Sequence, residues 1–157
     1  MTSDRTLWGT VAAFASLFLL SLVLYVLVPG SLARTVLRFP HHVSLKIVPE
    51  ARSLPFNWDL GHNVELLTKE ILLGPARHDH LRLFSRQTQL RAVLVRGNTV
   101  YLDLTKESFI PDPDVIYSPV LALDVLKATL MDNFSGVSNV WISVGGEPVG
   151  VNIVDKG

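Results

Sequence analysis

From Leu7 to Val28 the chain reads LWGTVAAFASLFLLSLVLYVLV, 22 residues without a charge. A helix needs roughly 20 apolar residues to cross ~30 Å of hydrocarbon, so the stretch is long enough to span a bilayer. Trp8 and Tyr25 stand near its two ends, where amphipathic rings favour the membrane interface, and Pro29-Gly30 stops the helix just beyond. Two readings compete: an uncleaved N-terminal anchor, or a secretory signal removed after PGSLA, where Ser31 and Ala33 supply small residues. The length favours the anchor, because the apolar core of a signal peptide is usually only about 7 to 15 residues. Arg5 alone on the short side, against Arg34, Arg38 and Lys46 beyond, opposes an N-in arrangement, but long domains often translocate regardless of charge. The expectation is a single-pass anchor and stalk over residues 1–33. A domain over residues 34–157 follows on the extracytoplasmic side of the cell membrane.

A chain of 157 residues leaves room for one such domain and no second large one. Cysteine is absent, which excludes disulfides, thiolate metal sites, cysteine nucleophiles and cysteine-linked lipid. With 14 basic and 14 acidic side chains, bulk charge gives nucleic-acid binding no support. The charge is unevenly placed. Arg34 to Arg96 holds ten Lys/Arg and five Asp/Glu, while Gly97 to Gly157 holds three and eight. Either the halves pair their charges within one surface, or complementary faces meet head to tail between molecules.

Thr35 to Phe39 and Val43 to Val48 read as two short strands broken by Pro40-His41-His42. Leu60, Val64, Leu67 and Ile71 then recur at helical spacing, and Gly74-Pro75 ends the helix, glycine as a left-handed cap and proline as a stop. A hairpin around Gly97-Asn98 suits a type II′ turn, setting Val95 opposite Val100, Val93 opposite Leu102 and Arg91 opposite Leu104. Ser118-Pro119 opens a second helix carrying Val120, Leu123, Leu126, Leu130 and Phe134. NVWISV, a Gly145-Gly146 turn and a last extended piece close the chain. The order ββαββαββ predicts an α+β fold with two helices packed on one face of a mixed or antiparallel sheet.

These segments resemble, in order, the GerMN domain of spore germination and sporulation proteins and of certain envelope lipoproteins. VLRFP is similar to its opening strand, ILLGP to its Leu-Leu-x-Gly-Pro helix end, NTVYLDLTKESF to its Val-x-Leu-x strand and following turn, and VSNVWISVGGEPV to its closing strand. Leu72, Gly74, Pro75, Leu102, Asp103 and Leu104 fall on those motif positions, and the likeness covers Thr35 to Val151. The resemblance implies a non-catalytic, extracytoplasmic domain related to the ring-building motifs of envelope-spanning assemblies. Unlike the lipoprotein members, this chain has no lipid-carrying cysteine.

His78-Asp79-His80 sits in the loop after the helix stop and is the one metal-like cluster, with His41, His42 and His62 as further donors. A structural zinc needs four ligands and a catalytic one three, and no His-Glu-x-x-His frame supplies them. Asp112-Pro113-Asp114 lacks the glycine and distal glutamate of a calcium loop and reads as a turn. No Gly-x-Ser-x-Gly elbow or phosphate-cradling glycine loop is present, so no cofactor and no catalysis are expected. The expected function is a scaffold assembling with itself or another envelope protein. Its basic positions Arg82, Arg86, Arg91 and Arg96 would meet Asp112, Asp114 and Asp132 of a neighbour, and Trp141 would serve as an aromatic anchor. The alternative is a binding module for cell-wall glycan or a metal ion, centred on His78 to His80.

Overall fold

A computed structural model of the chain describes residues 3–27, 32–115 and 117–149. The chain divides into two compact units, Met1–Ser31 and Leu32–Gly157. In the first, helix α1 (Ser3–Leu27) is 25 residues long, about 37 Å at 1.5 Å per residue and enough to cross the hydrocarbon. Every side chain from Trp8 to Tyr25 is exposed, and this window has a mean hydropathy of 1.9. Ser16 hides its hydroxyl by donating to the Ala13 carbonyl at 2.9 Å, as a polar side chain in an apolar helix must. The expected Pro29-Gly30 stop and the small residue Ser31 lie outside the described residues.

The second unit runs β1 (Leu32–Pro40), β2 (Ile47–Pro55), α2 (Leu60–Leu73), β3 (Leu90–Arg96), β4 (Thr99–Leu104), a 3₁₀ turn (Lys106–Phe109), α3 (Pro119–Asn133), β5 (Asn139–Val144) and β6 (Glu147–Val149). This is the α+β order read from sequence, with the 3₁₀ turn added. The strands divide between two sheets: β1 and β2 form an antiparallel pair, while β3-β4-β5-β6 form a mixed sheet in which β4 and β5 are parallel. Helix α3 packs on both β1 and β5, and α2 packs on β3 and α3, so the helices join the two sheets. Leu37 and Phe39 from β1, Leu67 and Ile71 from α2, Leu126 and Leu130 from α3, and Val100 and Leu102 from β4 form the buried core. Each such side chain contributes about 1.5–3 kcal/mol relative to exposure.

Several local expectations are corrected. The second strand lies later than Val43 to Val48, because His41 organises a turn: its Nδ1 accepts the N–H groups of Val43 at 3.2 Å and Ser44 at 3.4 Å. Leu45 then takes φ +53°. Pro49 does not stop β2, since a two-stranded sheet offers an outward row where a missing N–H loses no ladder bond. Gly74 caps α2 at φ +94° and ψ −178°, an extended positive-φ region open almost only to glycine, instead of the left-handed helical one. In the Gly97-Asn98 hairpin, Val95 faces Val100 and Val93 faces Leu102, but Leu104 faces Leu90 because the strand bulges at Arg91. Val120 is exposed, and the α3 stripe is carried by Ala122, Leu123, Val125, Leu126 and Leu130.

Candidate interaction surface

Among the described residues, helices cover one face of the four-stranded sheet and leave the other exposed. On the open face, register sets Leu94 opposite Tyr101 and Tyr101 opposite Trp141. The three make a cross-strand row with exposures of 53%, 41% and 48%. Their sequence neighbours Val93, Val95, Val100, Leu102, Val140 and Ile142 point to the core side, as two-residue alternation requires. Directly opposed aromatic and aliphatic residues stabilise one another by about 0.2–1 kcal/mol, which holds the row in place without hiding it.

Asp103 lies beside this row and ties three strands together. Its Oδ1 accepts from Ser143 Oγ at 2.8 Å and the Gly146 N–H at 3.0 Å, and its Oδ2 pairs with Arg91 at 3.0 Å. Leu102 and Leu104 flank it in the core. Arg96 ends β3 on the open face, exposed and without an ion-pair partner among the described residues.

The other charged positions are matched within the chain. Arg82 donates to the carbonyls of Leu72 at 2.6 Å and Leu73 at 2.5 Å, closing the C-terminal end of α2. Burial lowers its guanidinium below the usual pKa. Arg86 lies 3.5 Å from Asp114, and Arg38 lies 2.5 Å from Asp132. Asp112 accepts the Asp114 N–H at 2.9 Å, and that bond, with one from the Ser85 hydroxyl, holds its carboxyl below the ordinary range. The opposite charges of the two halves therefore meet within one molecule at these positions.

The histidine loop is also built inward. Glu50 and Arg52 alternate on the inner side of β2, and the buried Glu50 carboxylate accepts from Arg52 Nη2 at 2.7 Å and the Ala76 N–H at 3.1 Å. Burial alone would raise its pKa, but these donors, with the Arg77 N–H, hold it below the usual value. His80 is buried with Nδ1 3.1 Å from Glu50 Oε2, and since a carboxylate only accepts, Nδ1–H is the donor. Arg52 continues the chain to Glu70 Oε2 and the Gly74 carbonyl, both at 2.7 Å. Asp79 is bound by Arg77 at 2.8 Å and held well below the carboxylate range by it, while His78 faces solvent. No group of three His, Asp or Glu side chains among the described residues is placed to hold a metal ion.

A family model described as Germane, sporulation and spore germination, matches residues 24–150. The chain belongs to the Germane family. The first GerMN domain of the sporulation protein GerM from Bacillus subtilis shares its fold with a TM-score of 0.58 at 14% identity, covering 74% of this chain and 86% of that one. The tandem GerMN domains of the same protein superpose with a TM-score of 0.56 at 17% identity, covering 74% of this chain and 40% of that one. No curated protein sequence matches. Leu72-Leu73-Gly74-Pro75 is where α2 meets its Arg82 cap, and Asp103 is where β4 is tied to β3, to β5 and to the turn before β6.

Sequence reasoning missed the Glu50-Arg52-Glu70 network and the exposed Trp58. The signal for the first was present in IVPEARSLP, where Glu50 and Arg52 fall on one face once the strand is extended through Leu54. Trp58 has no periodic context, and only its exposure in the fold sets it apart.

Proposed function

We propose that this Germane chain is a membrane-anchored, non-catalytic interaction domain of the cell envelope, held on the extracytoplasmic side by α1. It assembles with itself or with another envelope protein. The observation that carries this reading is the exposed row Leu94-Tyr101-Trp141 on the sheet face that no helix among the described residues covers. Aromatic side chains dominate the energetics of protein interfaces, and a flat row flanked by Arg91 and Arg96 has the apolar centre and charged border such surfaces use. The family and the GerM domains support a sporulation or germination setting. An interface built instead on Arg86 meeting Asp112, Asp114 and Asp132 of a neighbour requires exchange of the pairs described above. Docking through the sheet face requires none.

A photo-crosslinking residue in place of Trp141, in cells, tests the reading. Discrete protein adducts from position 141, absent from the solvent-facing position 78, are the expected result. Equal or no adducts at both positions count against it.

A further inference from the structure

The domain presents a second exposed tryptophan, Trp58, which is 98% accessible. The backbone on both sides of it is tied down. The Asn57 N–H donates to Asn63 Oδ1 at 2.9 Å, Asn63 Nδ2 donates back to the Asn57 carbonyl at 2.8 Å, and Asn63 itself is buried. Asp59 is fixed as the N-cap of α2, accepting from the Gly61 N–H at 2.9 Å, and its own N–H donates to Asn57 Oδ1 at 2.8 Å. Just before the loop, Phe56 lies against Phe134 with ring centroids 5.4 Å apart. An indole held in water by an ordered loop is a large apolar surface kept available at little further entropic loss.

Trp58 lies at the end of the domain where the chain enters. Leu32, the first residue of β1, is itself 68% exposed and pairs with Pro55, three residues before Trp58. The helix α1 ends at Leu27, and the five steps to Leu32 reach no further than about 18 Å at full extension. While α1 spans the bilayer, the tether therefore keeps Leu32 within about 18 Å of the end of that helix. Arg34, exposed two residues along β1, adds a positive charge that anionic lipid attracts. Trp prefers this interfacial depth, with its ring in the acyl boundary and its N–H among the headgroups.

We infer that Trp58 inserts into the headgroup region of the same bilayer as a second contact, which fixes how the domain stands on the membrane and which way its open sheet face points. The inference rests on α1 acting as an anchor. The chain contains three tryptophans and no cysteine, so Trp58 becomes the sole indole in full-length chain carrying Trp8→Phe and Trp141→Phe. Both replaced rings are exposed, which leaves the domain core untouched.

This variant is reconstituted in phosphatidylcholine–phosphatidylglycerol vesicles, with and without lipid brominated near the headgroup. Trp58 emission should lie to the blue of free tryptophan, fall with brominated lipid, and resist aqueous iodide. Quenching by iodide but not by bromine would overturn the inference, as would shielding from both, which would show a protein covering the ring. A companion carrying Trp58→Phe and Trp141→Phe reports on Trp8. If Trp8 is quenched by bromine and Trp58 is not, this inference alone fails. If Trp8 is not quenched either, the anchor fails and the inference falls with it.

Discussion

Arg82 lays its guanidinium across Gly74, so closely that a Cβ at position 74 would run into Nη1 and Cζ. The absence of a side chain there lets one arginine close two carbonyls of α2. At φ +94° and ψ −178° the position is strained for any other residue in any case.

Gly74→Ala therefore combines backbone strain with a steric clash and should destabilise the domain by about 2–3 kcal/mol. Arg82→Ala leaves the helix end uncapped and should cost about 1.5–3 kcal/mol. Because removing Arg82 also removes the clash, the double variant should lose less than the sum of the two. Denaturant unfolding of the three variants in detergent checks this, and strict additivity would show the two sites to be uncoupled.

Glu50 contributes to the acid limit of the fold. Its carboxyl is held below its ordinary pKa in the folded state, so its contribution is fully present above the unfolded value of about 4.3 and is lost as pH falls through the folded one. Glu50→Gln should cost about 3 kcal/mol at pH 7, the lower end for a broken buried pair, because Arg52 keeps Glu70. The variant should also show a flatter decline than the parent when melting temperature is followed from pH 5 downward.

The histidines at 78 and 80 should separate cleanly. His78→Ala changes an exposed loop residue and should stay within about 0.5 kcal/mol of the parent. His80→Ala takes a donor from the buried Glu50 carboxylate and should cost about 1–3 kcal/mol. Thermal melts with and without added zinc test both points, and a zinc-dependent rise lost in either variant would return the loop to metal chemistry.

Trp141→Ala and Tyr101→Ala should leave folding nearly unchanged, within about 1 kcal/mol for a lost cross-strand pair, while weakening assembly. Single interface aromatics commonly cost about 2 kcal/mol or more of binding, a shift of roughly 30-fold in dissociation constant. Particle mass of the full chain in detergent against concentration reads the effect, and an unchanged association curve would exclude this face from self-assembly. Crosslinking from position 141 then decides whether another protein uses it.

Much of this was legible in the sequence because it is set by near neighbours. The 22-residue uncharged run makes α1. Helical spacing from Leu60 to Ile71 and Gly74 as stop delimit α2, and Gly97 with φ +54° turns the hairpin. The family resemblance read from the order of these segments agrees with the Germane match over residues 24–150. Periodicity also assigns Trp141 to the outer face, since alternation within one strand needs no knowledge of the strand beside it.

Tertiary structure alone decided who those residues meet. The Arg91 bulge and the division of the strands into two sheets depend on partners across the fold. Arg82, one unit of a basic run by composition, became a helix cap because Gly74 left it room. His80, a plausible ligand by spacing, turned inward because a buried carboxylate 30 residues earlier needs its proton. Local pattern fixes the direction of a side chain relative to its own backbone, whereas pairing over long separations is selected by how the whole core closes, and no short window of sequence contains that information.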